Sequence, residues 1–286
     1  MPRGAPSTLS RRPGSVTAPV APRPGSLGWP SVIDLHAHLL PGIDDGPGSL
    51  RESVAMARAA WAAGTRTVVC TPHMVDAFPT DPRRVHEGVA RLREALAEAD
   101  VPLAIVPGGE IALPYLDRLD DEALGLASVG GEGRWVLLEM PFQGWPIALS
   151  KVLADLEIRG YGAVLAHPER SDAVQRAPDR MRDMVGRGAL VQLTAGSFLG
   201  DHGAAARRTA ATLLSGGTAH LLASDAHSAG PWRAPGLEAG LDAAAEATGI
   251  HPQALRWTVE DGPAAVVEGR PVRPPRLAPR GGRVRS

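Results

Sequence analysis

The sequence predicts an α/β protein in which seven strand–helix units form a distorted TIM-like (β/α)7 barrel. Short apolar runs alternate with amphipathic stretches, a pattern typical of a parallel sheet with crossover helices. The chain has 286 residues, of which 44% are hydrophobic, so it is long enough for one sizeable core. Because no Gly-x-Gly-x-x-Gly turn follows the first strand, a closed barrel is favoured over an open, doubly wound sheet.

The predicted strands are short, mainly apolar and bounded by turn residues. There are seven of them, with a helical stretch between most neighbours, and this number of strand–helix units favours a closed barrel over an open sheet. They are Val32–His36, Thr67–Cys70, Leu103–Val106, Trp135–Glu139, Gly162–Ala166, Leu190–Leu193 and His220–Ala223.

The helices between these strands have recognisable ends. Ser49 can cap a helix with Glu52 in the capping-box position, and Gly64 ends that helix. Two further helices are predicted from about Pro146 to Arg159 and from about Asp172 to Arg187, each followed by a glycine.

The chain divides into a folded middle and two arginine-rich ends. Residues 1–28 are rich in Pro, Ser, Gly, Ala and Arg without apolar periodicity, which predicts a disordered tail. Residues 270–286 predict a second, basic tail, which leaves residues 29–269 as the globular domain. The two tails carry ten arginines and no acid. Because the formal net charge of the whole chain is −1, residues 29–269 carry a net charge of −11.

Charge and cysteine content exclude several classes of protein. An acidic middle would repel a phosphate backbone, which argues against nucleic-acid binding, but it suits carboxylates gathered around cations. The single cysteine, Cys70, provides neither a disulfide framework nor a structural zinc site built on cysteine. Since the sequence contains no apolar run of membrane length and no signal segment, we expect a cytoplasmic protein without membrane insertion.

Acidic residues and histidines recur just after the predicted strands, where barrel enzymes place their catalytic groups. His36 and His38 alternate at the end of the first strand, so both point to one side and can chelate one metal. The turn that follows offers Asp44 or Asp45 as an oxygen ligand. Further candidate ligands occur in the runs Cys70–His73, Pro107–Glu110, Leu138–Pro141, Ala166–Arg170 and Ser224–His227.

Each of these residues alone is weak evidence for a metal site. A single histidine at a strand end is more often a hydrogen-bonded structural residue, and a lone glutamate in a loop is usually solvated. Together, however, buried imidazoles and carboxylates that converge without cations would cost several kcal/mol, and metal ions reverse that penalty. The ordered series therefore predicts a multinuclear metal site.

These motifs resemble those of the polymerase-and-histidinol-phosphatase (PHP) superfamily, and within it the bacterial capsule-type tyrosine-protein phosphatases. The more specific pointers are Leu-Pro-Gly-Ile-Asp-Asp-Gly at residues 40–46, Leu-Glu-Met-Pro-Phe at 138–142 and Gln-Leu-Thr-Ala-Gly-Ser at 192–197. The resemblance spans about residues 31–268. It implies a distorted β/α barrel of the PHP type.

The resemblance also implies a cofactor and a substrate. Two or three divalent metal ions per chain, commonly manganese, would serve hydrolysis of phosphotyrosine in a partner protein. That partner would be a bacterial tyrosine kinase that controls capsule or exopolysaccharide synthesis. Glu110 is expected to be a bridging carboxylate. Carried over residue by residue, the metal ligands would be His36, His38, Asp45, His73, Glu110, Glu139, His167, Asp225 and His227.

A phosphomonoester repels nucleophiles, so the site must neutralise its charge while it generates hydroxide near neutral pH. We expect a metal-activated hydroxide to attack phosphorus in line while Arg170 and Arg233 stabilise the equatorial oxygens. Arg170 matches the family motif, whereas the segment before Arg233 departs from it. Asp45 completes the predicted catalytic set, and Asp34 is predicted to orient a ligating imidazole.

Other functions remain open at this point. A phosphatase with a cysteine nucleophile in a Cys-x5-Arg loop would need arginine where Asp76 stands, so Cys70 is interpreted as a buried strand residue. Another PHP phosphoesterase, a histidinol-phosphate phosphatase or a nuclease, would share the metal ligands and differ at the rim of the pocket. The chain could also be a non-catalytic, metal-binding regulator, although the complete series of ligands argues against that.

The remaining histidines and the tryptophans are interpreted as structural or packing residues, because nothing in their local pattern indicates a ligand. The histidines of this kind are His86, His202, His220 and His251. An aromatic residue beside the site could stack on a tyrosine ring, and the candidates for that are Trp135, Trp145 and Trp232.

Overall fold

Parallel strands form the centre of the computed structural model, which describes residues 32–131, 133–275 and 277. All seven predicted strands are confirmed to within one residue at either end, and β3 and β5 are additional. The strands are β1 (Ile33–Ala37), β2 (Thr67–Cys70), β3 (His73–Met74), β4 (Ala104–Pro107), β5 (Glu110–Ala112), β6 (Trp135–Glu139), β7 (Gly162–Ala166), β8 (Leu190–Thr194) and β9 (Leu221–Ala223).

Helices connect the strands along the chain. In the described ranges they are α1 (Leu50–Ala62), α2 (Pro82–Glu98), α3 (Asp121–Ala127), α4 (Leu149–Ile158), α5 (Asp172–Arg176), α6 (Arg180–Gly186), α7 (Ala195–Leu199), α8 (Gly203–Ser215), α9 (Leu237–Thr248), α10 (Pro252–Leu255) and α11 (Asp261–Val267). None of these helices is long and apolar enough to cross a membrane.

The predicted helix ends are confirmed in part. Ser49 caps α1, its hydroxyl accepting from the amide of Glu52 at 3.4 Å, and α1 ends just before Gly64. The helix predicted from Asp172 to Arg187 is instead broken into α5 and α6. The break lies at Pro178, which has no N–H to donate and disfavours helical backbone in the residue before it.

The strands form two sheets, with strand orders β1-β2-β4 and β3-β5-β6-β7-β8-β9. Breaks of two residues separate β2 from β3 and β4 from β5. Pro72, which cannot donate a hydrogen bond, lies in the first break. Gly109 lies in the second, where a Cβ atom would come within 2.4 Å of the Met74 side chain. The structure is a mixed α/β fold with parallel sheets, and the single closed barrel predicted from the sequence is not confirmed.

The two sheets nonetheless meet. A parallel bridge joins Ala37 to Ala226, and the amide of Asp225 donates to the carbonyl of His36 at 2.9 Å, so β1 lies beside the segment that follows β9. One buried apolar cluster contains side chains from strands of both sheets, together with Val266 and Val267 of α11. Because the pairings are parallel, the carboxyl ends of the strands lie at one end of the molecule.

Most of the two predicted tails lies outside the described residues. The tail predicted at residues 1–28 is outside them entirely, as are residue 276 and residues 278–286 of the basic tail. Residues 270–275 form neither helix nor strand, and the carbonyl of Arg270 accepts from the indole N–H of Trp135 at 3.1 Å. That contact holds the start of this segment against β6.

Candidate metal centre

Seven of the nine predicted ligands lie at or just after the carboxyl ends of strands, and the other two, His73 and Glu110, begin β3 and β5 directly after the breaks that follow β2 and β4. β1 and the turn after it contribute three, β9 is followed by two, and β3, β5, β6 and the end of β7 contribute one each. His36, His38 and Glu110 are completely buried, whereas Asp45 is the most exposed of the nine. The structure therefore brings together side chains that are separated by up to about two hundred positions in the sequence.

His36, His38 and Glu110 form the most buried group of donor atoms. The Nε2 atoms of the two histidines are 3.2 Å apart and lie 3.3 and 3.4 Å from Glu110 Oε2. Donors bound to one divalent ion at about 2.1 Å are roughly 3.0 to 3.4 Å apart for bond angles between 90° and the tetrahedral angle. Asp225 Oδ1 lies 3.4 Å from both Nε2 atoms. The spacing of this group fits a single cation.

Two further donor groups share residues with the first. One combines His38 with Asp45, His73 and His227, and Asp45 Oδ1 lies 3.1 Å from His227 Nε2 and 3.5 Å from His73 Nε2. The other combines His73 with Glu110 and Glu139. Shared donors of this kind are what a multinuclear site requires.

His167 joins the cluster through the second oxygen of Glu110, Oε1, which lies 2.8 Å from its Nε2 atom. Glu110 therefore contacts imidazoles with both of its carboxylate oxygens. Its Oε2 atom, like His167 Nδ1 and His227 Nε2, is buried and has no hydrogen bond of acceptable geometry within the described chain. Buried polar atoms normally have partners, so these donors fit divalent metal ions.

Gln192 and Asp44 orient His36 of β1 and His38, which follows β1. The ring nitrogen Nδ1 of His36 lies 2.9 Å from the side-chain oxygen of Gln192, and Nδ1 of His38 lies 2.6 Å from Asp44 Oδ2. An N–H at Nδ1 that donates to these oxygens leaves the Nε2 lone pair of each ring directed at the donor group. The sequence offered Asp44 and Asp45 as alternative ligands, and the structure places only Asp45 among the grouped donor atoms.

The prediction that Asp34 orients a ligating imidazole is wrong. Its Oδ1 atom accepts from the backbone amides of His36 at 3.3 Å and Ser224 at 3.0 Å. Asp34 lies two residues before His36 in β1. Its carboxylate therefore contacts backbone amides where β1 lies beside the end of β9. Gln192 has the role expected of Asp34, and the sequence signal for it was a polar residue inside the apolar run of β8.

Neighbouring charges set the protonation states of the site. Burial alone would lower the pKa of His38, but contacts with Asp225, Asp44 and Glu110 raise it well above its usual value. Burial alone would raise the pKa of Glu110, but the surrounding imidazoles lower it well below its usual value. The pKa of Asp225 is lowered in the same way. The carboxylates of Glu110 and Asp225 are therefore favoured as anions, the form that binds metal, whereas burial and the nearby Glu110 raise the pKa of Glu139.

Both predicted phosphate-binding arginines lie next to this cluster. Arg170 Nη1 is 2.6 Å from Asp225 Oδ2, and Arg233 Nη2 is 3.1 Å from Asp225 Oδ1. Arg233 Nη1 also lies 3.2 Å from Asp45 Oδ2. The guanidinium group of Arg170 lies 4.7 Å from the centre of the Phe142 ring. The two cations therefore flank the carboxylates at the accessible side of the cluster.

Backbone strain is concentrated at this site. Four non-glycine residues of the described chain have a left-handed backbone, and three of them belong to the site: His167 (φ 36°), Asp225 (φ 53°) and Arg233 (φ 52°). Such conformations cost about 1 to 3 kcal/mol each and persist only where the surrounding contacts impose them. The strain is consistent with backbone held in place to aim these side chains.

The cysteine and the other histidines have structural surroundings. Cys70 is completely buried in β2, and burial raises the pKa of its thiol to about 12, so it is not a reactive thiolate. His86 contacts the carbonyl of Leu126, and Nδ1 of His220 accepts from the amide of Val191. His202 is closer to the site than its sequence context suggested, because it shares a cavity with both arginines.

Replacing Gln192 with methionine is expected to weaken Mn²⁺ binding about 10- to 100-fold, the usual cost of losing a residue that orients a metal ligand. Methionine has a similar volume, but its thioether sulfur is only a weak hydrogen-bond acceptor for His36. Isothermal titration of metal-stripped protein measures the change. Gln192→Glu keeps the acceptor oxygen and should bind metal more tightly than Gln192→Met. Equal affinities of Gln192→Met and the wild type would contradict this role.

Comparison with known proteins identifies a family and relatives that match most of the described chain. Residues 32–253 match the family model of capsular polysaccharide synthesis proteins, CpsB/CapC. The chain is 35% identical over 197 residues to the tyrosine-protein phosphatase YwqE of Bacillus subtilis (strain 168). The aligned region covers 68% of this chain and 77% of YwqE. It is 30% identical over 203 residues to the putative tyrosine-protein phosphatase CapC of Staphylococcus aureus, covering 69% and 77%.

A solved structure also resembles this chain. It comes from work on YwqE of Bacillus subtilis and CpsB of Streptococcus pneumoniae, which are described there as unique metal-dependent tyrosine phosphatases. The two structures superpose with a TM-score of 0.75 at 29% sequence identity, covering 86% of this chain and 98% of the other. The similarity therefore extends over the fold and the segments that contain the candidate site.

Proposed function

Because the chain belongs to the CpsB/CapC family of capsular polysaccharide synthesis proteins, we propose that it is a metal-dependent protein-tyrosine phosphatase. The observation that carries this proposal is the convergence of nine imidazole and carboxylate side chains beside two arginines. Named relatives of this chain are tyrosine-protein phosphatases, and the solved structure that it resembles comes from work on metal-dependent ones. Donors for cations next to guanidinium groups suit a dianionic phosphate ester.

The proposed metal ligands are the nine residues predicted from the sequence, and the proposed ions are manganese, two or three per chain. Three overlapping donor groups support more than one ion, because His38, His73 and Glu110 each belong to two of them. Glu110 is the proposed bridging carboxylate, since its two oxygens contact different imidazoles. Bound divalent ions would supply hydroxide at neutral pH and neutralise the charge of the phosphate.

Arg170 and Arg233 are the proposed phosphate-binding residues. A guanidinium group presents several N–H donors in one plane, a geometry that matches the oxygens of a phosphoryl group. Both arginines are partly exposed, at 17% and 31% of their side chains, so a substrate can reach them. Asp45 is 44% exposed and contacts Arg233, so it lies on the same accessible side of the cluster as the arginines. It completes the proposed catalytic set.

We also propose that the two sheets together form a distorted (β/α)7 barrel of the PHP type within a domain of residues 29–269. The shared apolar cluster and the bridge between Ala37 and Ala226 support this arrangement. In a barrel, alternate residues of each strand fill the interior, and functional residues lie at the carboxyl ends of the strands. The shared apolar cluster and the positions of the proposed ligands fit that arrangement. β3 and β5 would then be continuations of β2 and β4 beyond local breaks.

The proposed substrate is phosphotyrosine in a bacterial tyrosine kinase that controls capsule or exopolysaccharide synthesis, in the cytoplasm. The family description, capsular polysaccharide synthesis, and the phosphatase names of the relatives support this choice. Histidinol phosphate and single-stranded DNA are the substrates of the competing interpretations, so both belong in the test.

Metal-stripped protein is expected to be inactive and to recover phosphotyrosine hydrolysis on addition of Mn²⁺. The assay compares phosphate release from a phosphotyrosine peptide, a phosphoserine peptide and histidinol phosphate, together with cleavage of single-stranded DNA. Cys70→Ala should keep the activity, because its thiol is buried and protonated. Preference for histidinol phosphate or DNA, turnover in the presence of excess EDTA, or inactivity of a correctly folded Cys70→Ala variant would contradict the proposal.

A further inference from the structure

A cavity of about 180 Å³ adjoins the candidate metal centre. Arg170, Asp225 and Arg233 form one part of its lining, so it opens onto the proposed phosphate position. An apolar cavity of about 150 Å³ is large enough to bind benzene, so this one can hold an aromatic ring. The apolar part of the lining follows β8 and β9 and includes Ala195, Leu199, Trp232 and Ala234.

Two exposed apolar side chains line this cavity, and a third lies against one of its arginines. Trp232 is 77% exposed and Leu199 is 47% exposed, although both are large and apolar. Phe142, also 47% exposed, lies under the guanidinium group of Arg170. Large apolar side chains grouped at a cleft indicate a surface that a ligand covers. The other exposed large hydrophobic residues of the described chain are Ile147 and Ile158.

Two polar side chains of the lining, Ser224 and His202, have hydrogen-bond partners within the protein. The hydroxyl of Ser224 accepts from the amide of Ala226 at 3.1 Å, and Nδ1 of His202 lies 3.1 Å from the hydroxyl of Ser197. Next to Ser224 and His202, a hydroxyl-rich group would therefore lose hydrogen bonds to water that these two side chains do not replace, whereas the carboxylate of Asp201 in the same lining stays exposed. An aromatic ring has no such requirement and gains contacts with an indole ring and with guanidinium groups.

We propose that Trp232 and Leu199 hold the aromatic ring of the substrate while Arg170 and Arg233 hold its phosphate. The cavity is thus a subsite for the group esterified to the phosphate, and it selects aryl phosphates over alkyl phosphates. This inference rests on the proposed phosphatase function and adds the residues that determine its substrate class. Trp232 acts here as a specificity-determining residue that contacts the ring and not the reacting atoms.

Trp232→Ala is expected to raise KM for a phosphotyrosine peptide roughly three- to tenfold, the effect of one aromatic pair, with little change in kcat. The inhibition constant of inorganic phosphate and KM for an alkyl phosphate should not change, because neither ligand places a ring in the cavity. Comparing each variant with the wild type on the same substrate cancels the difference in intrinsic reactivity between aryl and alkyl esters. Trp232→Phe should restore most of the lost affinity.

Ile147→Ala is the matched control. Ile147 is 95% exposed and follows β6, but it does not line the cavity, so its KM values should equal those of the wild type. If Trp232→Ala leaves KM for the peptide unchanged, or raises the phosphate inhibition constant by the same factor, the inference is overturned while the phosphatase assignment stands. If the wild-type protein does not hydrolyse phosphotyrosine at all, both are overturned.

Discussion

Replacement of His36 or Asp225 by alanine is expected to abolish phosphotyrosine hydrolysis and to reduce the manganese content of the protein. Loss of a residue that merely orients a metal ligand costs about 10- to 100-fold, so loss of a ligand should cost more than about 100-fold in kcat/KM. His36 is completely buried, and its Nε2 atom lies within 3.4 Å of Glu110, His38 and Asp225. No other side chain can move into that position without rearranging the strands.

The loss should leave the fold intact, since both residues lie at strand ends and not in the apolar core. Asp225 has a left-handed backbone, which alanine adopts at a cost, so Asp225→Asn is the better test of its charge. Circular dichroism and thermal melting monitor the fold, and elemental analysis measures bound manganese. Near-wild-type activity with a full metal complement in any of these variants would refute the site as described.

Local sequence predicted the strands well but not their assembly. Apolar runs such as Trp135–Glu139 and Gly162–Ala166 are bounded by turn residues, so their ends could be placed to the residue. β3 and β5 have only two and three residues, which is too short for any periodicity. Whether the sheets close depends on contacts between segments such as those of Ala37 and Ala226, which are far apart in the sequence and carry no local signal.

The candidate site shows the same division. The convergence of candidate donors could be predicted because parallel strands bring their carboxyl ends together, whereas the choice of nine of them as metal ligands came from the family resemblance and stays a prediction. The partners of those ligands could not be predicted in this way. Gln192 reaches His36 across the structure, from the other sheet, and Asp34, only two residues from His36 in sequence, contacts backbone amides instead. Likewise, only the conformation of the segment after β9 places Trp232 at a cavity.

Arg170→Ala is expected to lower kcat for phosphotyrosine peptides about 10²- to 10³-fold while the protein still binds manganese. One preorganised donor to a developing negative charge typically contributes that much. Arg170 contacts Asp225 through Oδ2, whereas the oxygen that faces His36 and His38 is Oδ1, so the proposed ligand atom remains in place without the arginine. Arg170→Lys keeps the charge but not the planar set of donors, so it should recover only part of the activity.

Arg176→Ala is the matched control, because Arg176 follows the same motif but forms only an exposed ion pair with Asp172. Its kcat should equal that of the wild type. Elemental analysis at saturating Mn²⁺ distinguishes the two possible roles of Arg170. If Arg170→Ala loses metal together with activity, then the contact with Asp225 maintains the metal site, and phosphate binding is not the main contribution of this arginine. If metal is retained and kcat is unchanged, Arg170 does not bind the transferred phosphoryl group, and Arg233 alone would have to do so.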